Sequence, residues 1–372
     1  MKRYLAFFVS ALVCLSLFAA KKNNPRIVTS ASDGRITYVG RTLVSGNEVS
    51  FDWTGTYVRF AFEGDYLALK ITDTKKDYFN VWIDRPISGG DADRVVAFEG
   101  TDTLIVLYDA APVKGKGTKS HNITIQKRTE GEQGKVTVSE VVTYGNLLQA
   151  EPMKERFIEF IGDSYTCGYG SENSIFSDKF SPETENQNKA YDAIIGRYFD
   201  ADIHVIAHSG MGINRNYNDK LRGYTMVDRY LNVFDNGFDK VENAPLWTPS
   251  VKPDITVIYL GANDFSAGRQ PLRSQFIKDY IKLLKEIKDY YGEDHPILCC
   301  TSRMEIYDYV SDAVATSGLK KITAVSIVEG ITVKEELGAD MHPAYPAHRK
   351  IAMAFIPYVA TMTGWPLKDF EM

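Results

Sequence analysis

Hydrophobic positions follow two different rhythms along this chain. From about residue 28 to residue 140 they alternate with polar ones: Val49, Phe51 and Trp53; Val58, Phe60 and Phe62; Leu67, Leu69 and Ile71; Phe79, Val81 and Ile83. The segments at His121–Gln126 and Val136–Val138 repeat the pattern, and Gly46, Gly55, Gly64-Asp65 and Gly89-Gly90 punctuate it. A period of two over short runs means strands with one buried face. Many such strands with no helical stretch between them predict a sandwich or jelly roll.

From about Arg156 the rhythm changes. Phe157–Ile161, Ile203–Ala207, Ile255–Leu260, Ile297–Cys300 and Ala324–Ile327 are short, nearly continuous apolar runs, as in strands buried on both faces of a parallel sheet. Helical periods lie between them. Within 271–291, Phe276, Tyr280, Leu283, Leu284, Ile287 and Tyr291 fall on one stripe, with Gly292 placed to end the helix. A last helix is predicted over 347–363, carrying Ile351, Ala354, Phe355 and Val359. Alternating strands and helices give a three-layer α/β fold. The expected organisation is a β-sandwich domain over 21–140, a linker over 141–155 and an α/β domain over 156–372, with no internal repeat.

The N-terminus reads as an export signal. Lys2 and Arg3 precede an apolar run from Tyr4 to Ala20, which Lys21 and Lys22 close. Residues 1–20 are therefore expected to direct a secreted, periplasmic or cell-surface protein. The run is short for a membrane span, so stable membrane insertion is not expected. Cys14 leaves a lipid anchor as an alternative, although Val13 stands where such signals carry a small residue.

A net charge of -5 over 372 residues argues against nucleic acid as a partner. Of the 4 cysteines, Cys167, Cys299 and Cys300 lie beyond the signal and form no disulfide framework; they read as buried packing residues. No cysteine–histidine cluster has zinc spacing, and no cofactor is expected. The sequence leaves the oligomeric state open.

Candidate chemistry lies at the carboxyl ends of the apolar runs, where open α/β sheets bind ligands. The first ends in Gly162-Asp163-Ser164, the second in His208-Ser209-Gly210-Met211-Gly212, and the third in Gly261-Ala262-Asn263-Asp264. Asp340-Met341-His342-Pro343 precedes the last helix. A serine hydroxyl needs a base and an oxyanion site to act as a nucleophile. A histidine supplies the base; glycine N–H groups and an asparagine amide supply neutral donors. Taken singly, each block reads as an ordinary turn; their joint order makes the case.

That set resembles the four blocks of the SGNH (GDSL) hydrolases. More narrowly, the chain resembles carbohydrate esterase family 2, which joins an N-terminal β-sandwich to an SGNH domain with a flavodoxin-like parallel sheet. The narrower likeness rests on Arg41-x-Leu-x-Ser-Gly46, Lys127-Arg128-Thr129-Glu130, Ser209–Gly212 and Arg215-Asn216-Tyr217. The resemblance implies Ser164 as nucleophile and His342 as base, with Asp340 orienting the imidazole. It implies an oxyanion hole made by the Ser164 N–H, the Gly210 N–H and the Asn263 amide. Asp340 stands two residues before His342, where the commoner spacing is three, and Met341 stands where members often carry an aromatic residue. The implied substrate is O-acetylated plant polysaccharide, xylan or mannan, or derived oligosaccharides. An esterase for another acyl group (lipid or peptidoglycan acetyl) and a lapsed carbohydrate-binding protein are the rival readings.

Other polar and aromatic residues receive plainer expectations. His348 is expected on the surface at a helix start; Tyr165 and Cys167 are expected to pack, as is His208, with a hydrogen bond beside the second block as its alternative. Glu305 and Asp308 are candidates to line the cleft without forming an acid–base pair. Trp365 is expected in the core; Trp247 is left open between packing and sugar stacking.

Overall fold

The computed structural model describes residues 24–111, 118–235, 242–327 and 331–368. The expected export signal over 1–20, with Cys14, lies outside the described residues.

Ten antiparallel strands build the N-terminal part. They are β1 (Arg26–Ser30), β2 (Thr37–Val39), β3 (Leu43–Ser45), β4 (Glu48–Phe51), β5 (Tyr57–Asp73), β6 (Lys76–Ile83), β7 (Arg94–Glu99), β8 (Thr103–Asp109), β9 (Ser120–Lys127) and β10 (Val136–Leu148). The long strands β5 and β10 hold the fold together. β10 pairs with β5 along most of its length and also with β1 and β4, while β5 also takes β2, β8 and β9. The alternating residues read from the sequence point inward together: Val49, Phe51, Val58, Phe60, Phe62, Leu67, Leu69, Phe79 and Val81 share one buried cluster. β10 runs to Leu148, inside the stretch read as a linker; its apolar residues continue the sheet, so the connection to the next unit is shorter than expected.

The second part is a five-stranded parallel sheet. Its strands are β11 (Phe157–Gly162), β12 (Asp202–Ala207), β13 (Ile255–Tyr259), β14 (Ile297–Thr301) and β15 (Ile322–Ser326), in spatial order β12-β11-β13-β14-β15. Among the described residues six α-helices accompany it: α1 (Ser164–Cys167), α2 (Tyr191–Phe199), α3 (Met226–Arg229), α4 (Arg273–Tyr291), α5 (Met304–Ser317) and α6 (Tyr345–Thr363). Successive strand residues enter opposite layers, as the two-residue period requires. Phe160, Val205, Val257, Leu298 and Cys300 pack toward α2 and α6. Ile161, Ile206, Ile258, Ile297 and Cys299 pack toward α3, α4 and α5. The three layers follow from continuous apolar strands covered on both faces. Among the described residues no helix is long and apolar enough to cross a membrane.

The two parts share their cores. Val39 and Tyr57 belong to the α2/α6 side, and Trp53 belongs to the α4/α5 side. Buried polar ties cross the same boundary. Arg59 meets the Asp202 carboxylate at 2.5 and 3.0 Å, and the Tyr57 hydroxyl donates to it at 3.0 Å. Arg41 donates to the Tyr230 carbonyl and to that of Asn232 at 2.8 Å, and lies 3.7 Å from Glu159 on the central strand. Its guanidinium stacks 4.4 Å from the centre of the Trp247 ring, so Trp247 serves packing. Trp365 is partly buried against the α2/α6 cluster, where Arg156 stacks on it at 5.2 Å. Cys167, Cys299 and Cys300 are buried free thiols, as the sequence reading held.

Candidate active site

Strand β11 delivers Ser164 to the first turn of α1. Asp163 caps that turn, its carboxylate accepting from the Tyr165 N–H at 3.2 Å. Gly162 is needed because a Cβ there would meet the Thr166 hydroxyl at 1.8 Å. Ser164 therefore sits at the carboxyl end of a central strand with its backbone fixed on both sides. His342 arrives on the loop before α6. Its Nε2 lies 2.8 Å from Ser164 Oγ. Burial lowers the imidazole's proton affinity below its ordinary value, against the opposing pull of the Asp340 and Ala339 backbone carbonyls. The ring is walled by Tyr169, with centroids 4.2 Å apart, and by Tyr165 edge-on at 5.6 Å.

Asp340 does not meet the imidazole through its carboxylate. Asp340 and Met341 have φ of 48° and 64°, and this left-handed pair turns the carbonyl of Asp340 toward the ring instead. His342 Nδ1 faces that oxygen at 3.3 Å. The carboxylate points outward, accepting from Lys179 Nζ at 2.8 Å, the Tyr169 hydroxyl at 3.1 Å and the Phe180 N–H at 3.1 Å. The expected orienting role thus passes from side chain to backbone. Asp340 instead pins the 176–180 segment and the tyrosine that covers His342.

Gly210 lies in the loop after β12 with φ of 79°, a backbone region that favours glycine. Among the described residues, neither the Ser164 N–H nor the Gly210 N–H has a protein acceptor. Asp264 holds this loop by accepting from the N–H groups of Ile213, Asn214 and Arg215 at 2.9, 2.7 and 2.8 Å. Asn263 differs from the expectation of a free donor. Its amide donates to Met211 O at 2.8 Å and to Asp163 Oδ2 at 3.1 Å, so both hydrogens are engaged. Burial raises Asp163 to about 7 and Asp264 to about 6.

These groups open into a cleft of about 1410 Å³, lined by Ser164, Gly210, Asn263 and His342 with Tyr169, Phe180, Tyr217, Tyr259 and Phe265. Met341 and Tyr217 stand exposed at its edge. Tyr165, expected only to pack, also lines it. Arg303 lines the cleft, whereas Glu305 and Asp308 do not; α5 turns both outward.

Two histidines depart from expectation. His208 is an ion-pairing residue, its Nδ1 2.6 Å from Asp235 Oδ2, and the surrounding acids raise it to about 8. His348 is fully buried rather than on the surface. Helix α6 begins at Tyr345, so position 348 turns inward against Tyr191, and burial pushes the ring down to about 3. Sequence reasoning also missed Glu130, whose Oε2 accepts from the Ser209 N–H at 2.6 Å. The signal was available in Lys127–Glu130, a run of four polar residues at the end of a strand. Glu130, Cys167 and Glu185 bring ligand-type atoms within 4.8 Å of one another. Burial drives the Cys167 thiol and Glu185 carboxyl toward their neutral forms, which suits packing.

Comparison with known proteins agrees with this architecture. Residues 38–152 match the carbohydrate esterase 2 N-terminal family, and residues 160–325 match the GDSL-like lipase/acylhydrolase family. The chain is thus similar to carbohydrate esterase family 2 in both of its parts. It is 30% identical over 345 residues to the cellulase/esterase CelE of Acetivibrio thermocellus, covering 89% of this chain and 40% of that protein. It is 26% identical to an acetylxylan esterase / glucomannan deacetylase of Cellvibrio japonicus, over 95% of this chain and 96% of the relative. A family two carbohydrate esterase from Clostridium thermocellum, solved in complex with cellohexaose, superposes with a TM-score of 0.76 at 27% identity. That match covers 89% of this chain and all of the other. The chain thus pairs the sheet domain and SGNH-like unit that the resemblance implied.

Proposed function

We propose that this protein is a serine esterase that removes O-acetyl groups from plant polysaccharide, xylan or mannan, or from derived oligosaccharides. The observation that carries the reading is the 2.8 Å contact of His342 Nε2 with Ser164 Oγ at the floor of an aromatic-walled cleft. Related proteins named for acetylxylan and glucomannan, and a neighbour solved with cellohexaose, support the substrate class.

In the proposed mechanism His342 takes the Ser164 proton as Oγ attacks the acetyl carbonyl. The carbonyl π pair moves onto oxygen, giving an oxyanion held by the Ser164 and Gly210 N–H groups. Asn263 joins by turning one hydrogen from Asp163, its longer partner. Collapse breaks the bond to the sugar oxygen, which takes the proton from His342 and leaves an acetyl-serine. Water, deprotonated by the same imidazole, attacks that ester; acetate departs and Ser164 recovers its proton. The Asp340 carbonyl accepts the Nδ1 hydrogen and so steadies the charged ring.

The proposal includes export by residues 1–20, with Ser164, His342 and the sheet domain working together outside the cytoplasm. It is tested by acetate release from acetylated xylan, mannan and peptidoglycan, beside acetyl and longer-chain nitrophenyl esters. Release from the plant polymers with a preference for acetyl is expected. A preference for long chains or for peptidoglycan overturns the substrate. Sugar binding without acetate release overturns the enzyme.

A further inference from the structure

Lys127 closes β9 and Arg128, Thr129 and Glu130 follow it directly; the side chains of all four are buried. Charged groups are costly to bury unless bonded, so three of them beside a buried threonine call for a structural account. Lys127 Nζ donates to Asp77 Oδ1 at 2.5 Å and to the carbonyls of Thr129 and Glu130 at 2.8 and 3.0 Å. Arg128 crosses to the SGNH unit, donating to the carbonyls of Glu185 and Glu183 and to the Glu172 carboxylate. The Glu130 N–H donates to Glu185 Oε2 at 3.3 Å. Together these bonds fix the backbone from which the Glu130 side chain projects.

Glu130 Oε2 lies 2.6 Å from the Ser209 nitrogen and 3.5 Å from Cys167 Sγ, at the end of the helix that Ser164 begins. The peptide after Ser209 carries the Gly210 N–H. On its other side the Gly210 carbonyl accepts from the Tyr217 N–H at 2.7 Å. The donor-bearing peptide is therefore gripped at both ends, once by a carboxylate from the other domain. A hydrogen bond to a carboxylate is roughly twice as strong as a neutral one.

We propose that Glu130 is a positioning residue: the N-terminal sheet domain, through this one carboxylate oxygen, aims the Gly210 N–H at the oxyanion. The inference rests on the esterase reading and makes the sheet domain part of the active site's construction, whether or not it also holds glycan. What matters is an acceptor at the right reach, and this separates the idea from a general charge effect. Glu130→Gln keeps the reach and loses the charge; Glu130→Asp keeps the charge and withdraws the oxygen.

The test measures kcat and KM on nitrophenyl acetate for the full chain and both variants. It adds inhibition by a small boronic acid, whose tetrahedral serine adduct uses the same donors, with melting temperatures to follow folding. Misplacing a catalytic group by about 1 Å costs on the order of 100-fold. Glu130→Asp should therefore lose roughly 10- to 100-fold in kcat with KM held, and lose boronate inhibition in parallel. Glu130→Gln should stay within about fivefold of the parent, since it keeps the acceptor. Full activity in Glu130→Asp overturns the inference, as does a folded Glu130→Gln that falls more than tenfold; the second criterion stands even where Glu130→Asp does not fold. A parent protein with no esterase activity instead removes the underlying reading and leaves the Glu130–Ser209 contact as architecture.

Discussion

His342 Nδ1 faces the backbone carbonyl of Asp340 at 3.3 Å, while the carboxylate of the same aspartate is bound by Lys179, Tyr169 and the Phe180 N–H. Where an aspartate carboxylate orients a triad histidine, its change to asparagine costs about 10⁴-fold in kcat. Here Asp340→Asn keeps the carbonyl. Its kcat on a small acetyl ester should fall less than about tenfold, well short of that triad loss. A 10⁴-fold loss in a folded variant would contradict the backbone arrangement.

In the proposed mechanism, proton affinity at His342 sets the acid limb of the rate. The general base must be neutral, and burial favours the neutral ring, holding its pKa below the ordinary 6.5. As pH falls through that lowered value, the ring gains a proton and activity is lost. The profile of kcat/KM should therefore be flat near neutrality and bend at a pH below 6.5. A midpoint above 6.5 would show that the imidazole is stabilised in its charged form.

Tyr217 stands 63% exposed at the cleft edge and has no packing duty comparable with that of the buried tyrosines. An aromatic face in that place suits a sugar ring. Losing it should cost about 1 kcal/mol of binding. Tyr217→Ala should thus raise KM for acetylated oligosaccharide roughly fivefold while leaving kcat on nitrophenyl acetate unchanged. An equal loss on both substrates would place Tyr217 in the chemistry instead.

Arg41 and Glu159 are both fully buried and lie 3.7 Å apart across the two sheet units. Glu159 also accepts from Tyr230, Tyr291 and Thr256. Removing one partner of a buried pair leaves the other charge poorly compensated, at a cost of about 3–5 kcal/mol. Arg41→Met should lower the denaturant midpoint by a corresponding amount. Cooperative unfolding with an unchanged midpoint would show that the hydroxyl donors alone satisfy Glu159.

The architecture was legible because each layer leaves its own period. Val58, Phe60 and Phe62 alternate since one face of their sheet is buried; Phe157–Ile161 is continuous since both faces are covered. Ser164 and Gly210 were legible as blocks at strand ends, and His342 as a block before the last helix. What escaped depends on backbone angles and distant partners. Nothing in the order Asp340-Met341-His342 announces two left-handed residues that exchange a carboxylate for a carbonyl. Likewise, the outward expectation for His348 failed because the helix begins at Tyr345, which sets which face position 348 presents. Lys127–Glu130 was legible as a polar run, but its burial and the Glu130–Ser209 contact depend on the opposite surface.

The central claim is that Ser164 carries the acyl group. Acetate release from acetylated xylan by the parent and by Ser164→Ala, at equal concentration and with sugar binding measured in parallel, tests it most directly. The account predicts release by the parent and a drop of roughly 10⁴-fold or more in Ser164→Ala with binding retained. Undiminished acetate from the alanine variant would contradict it.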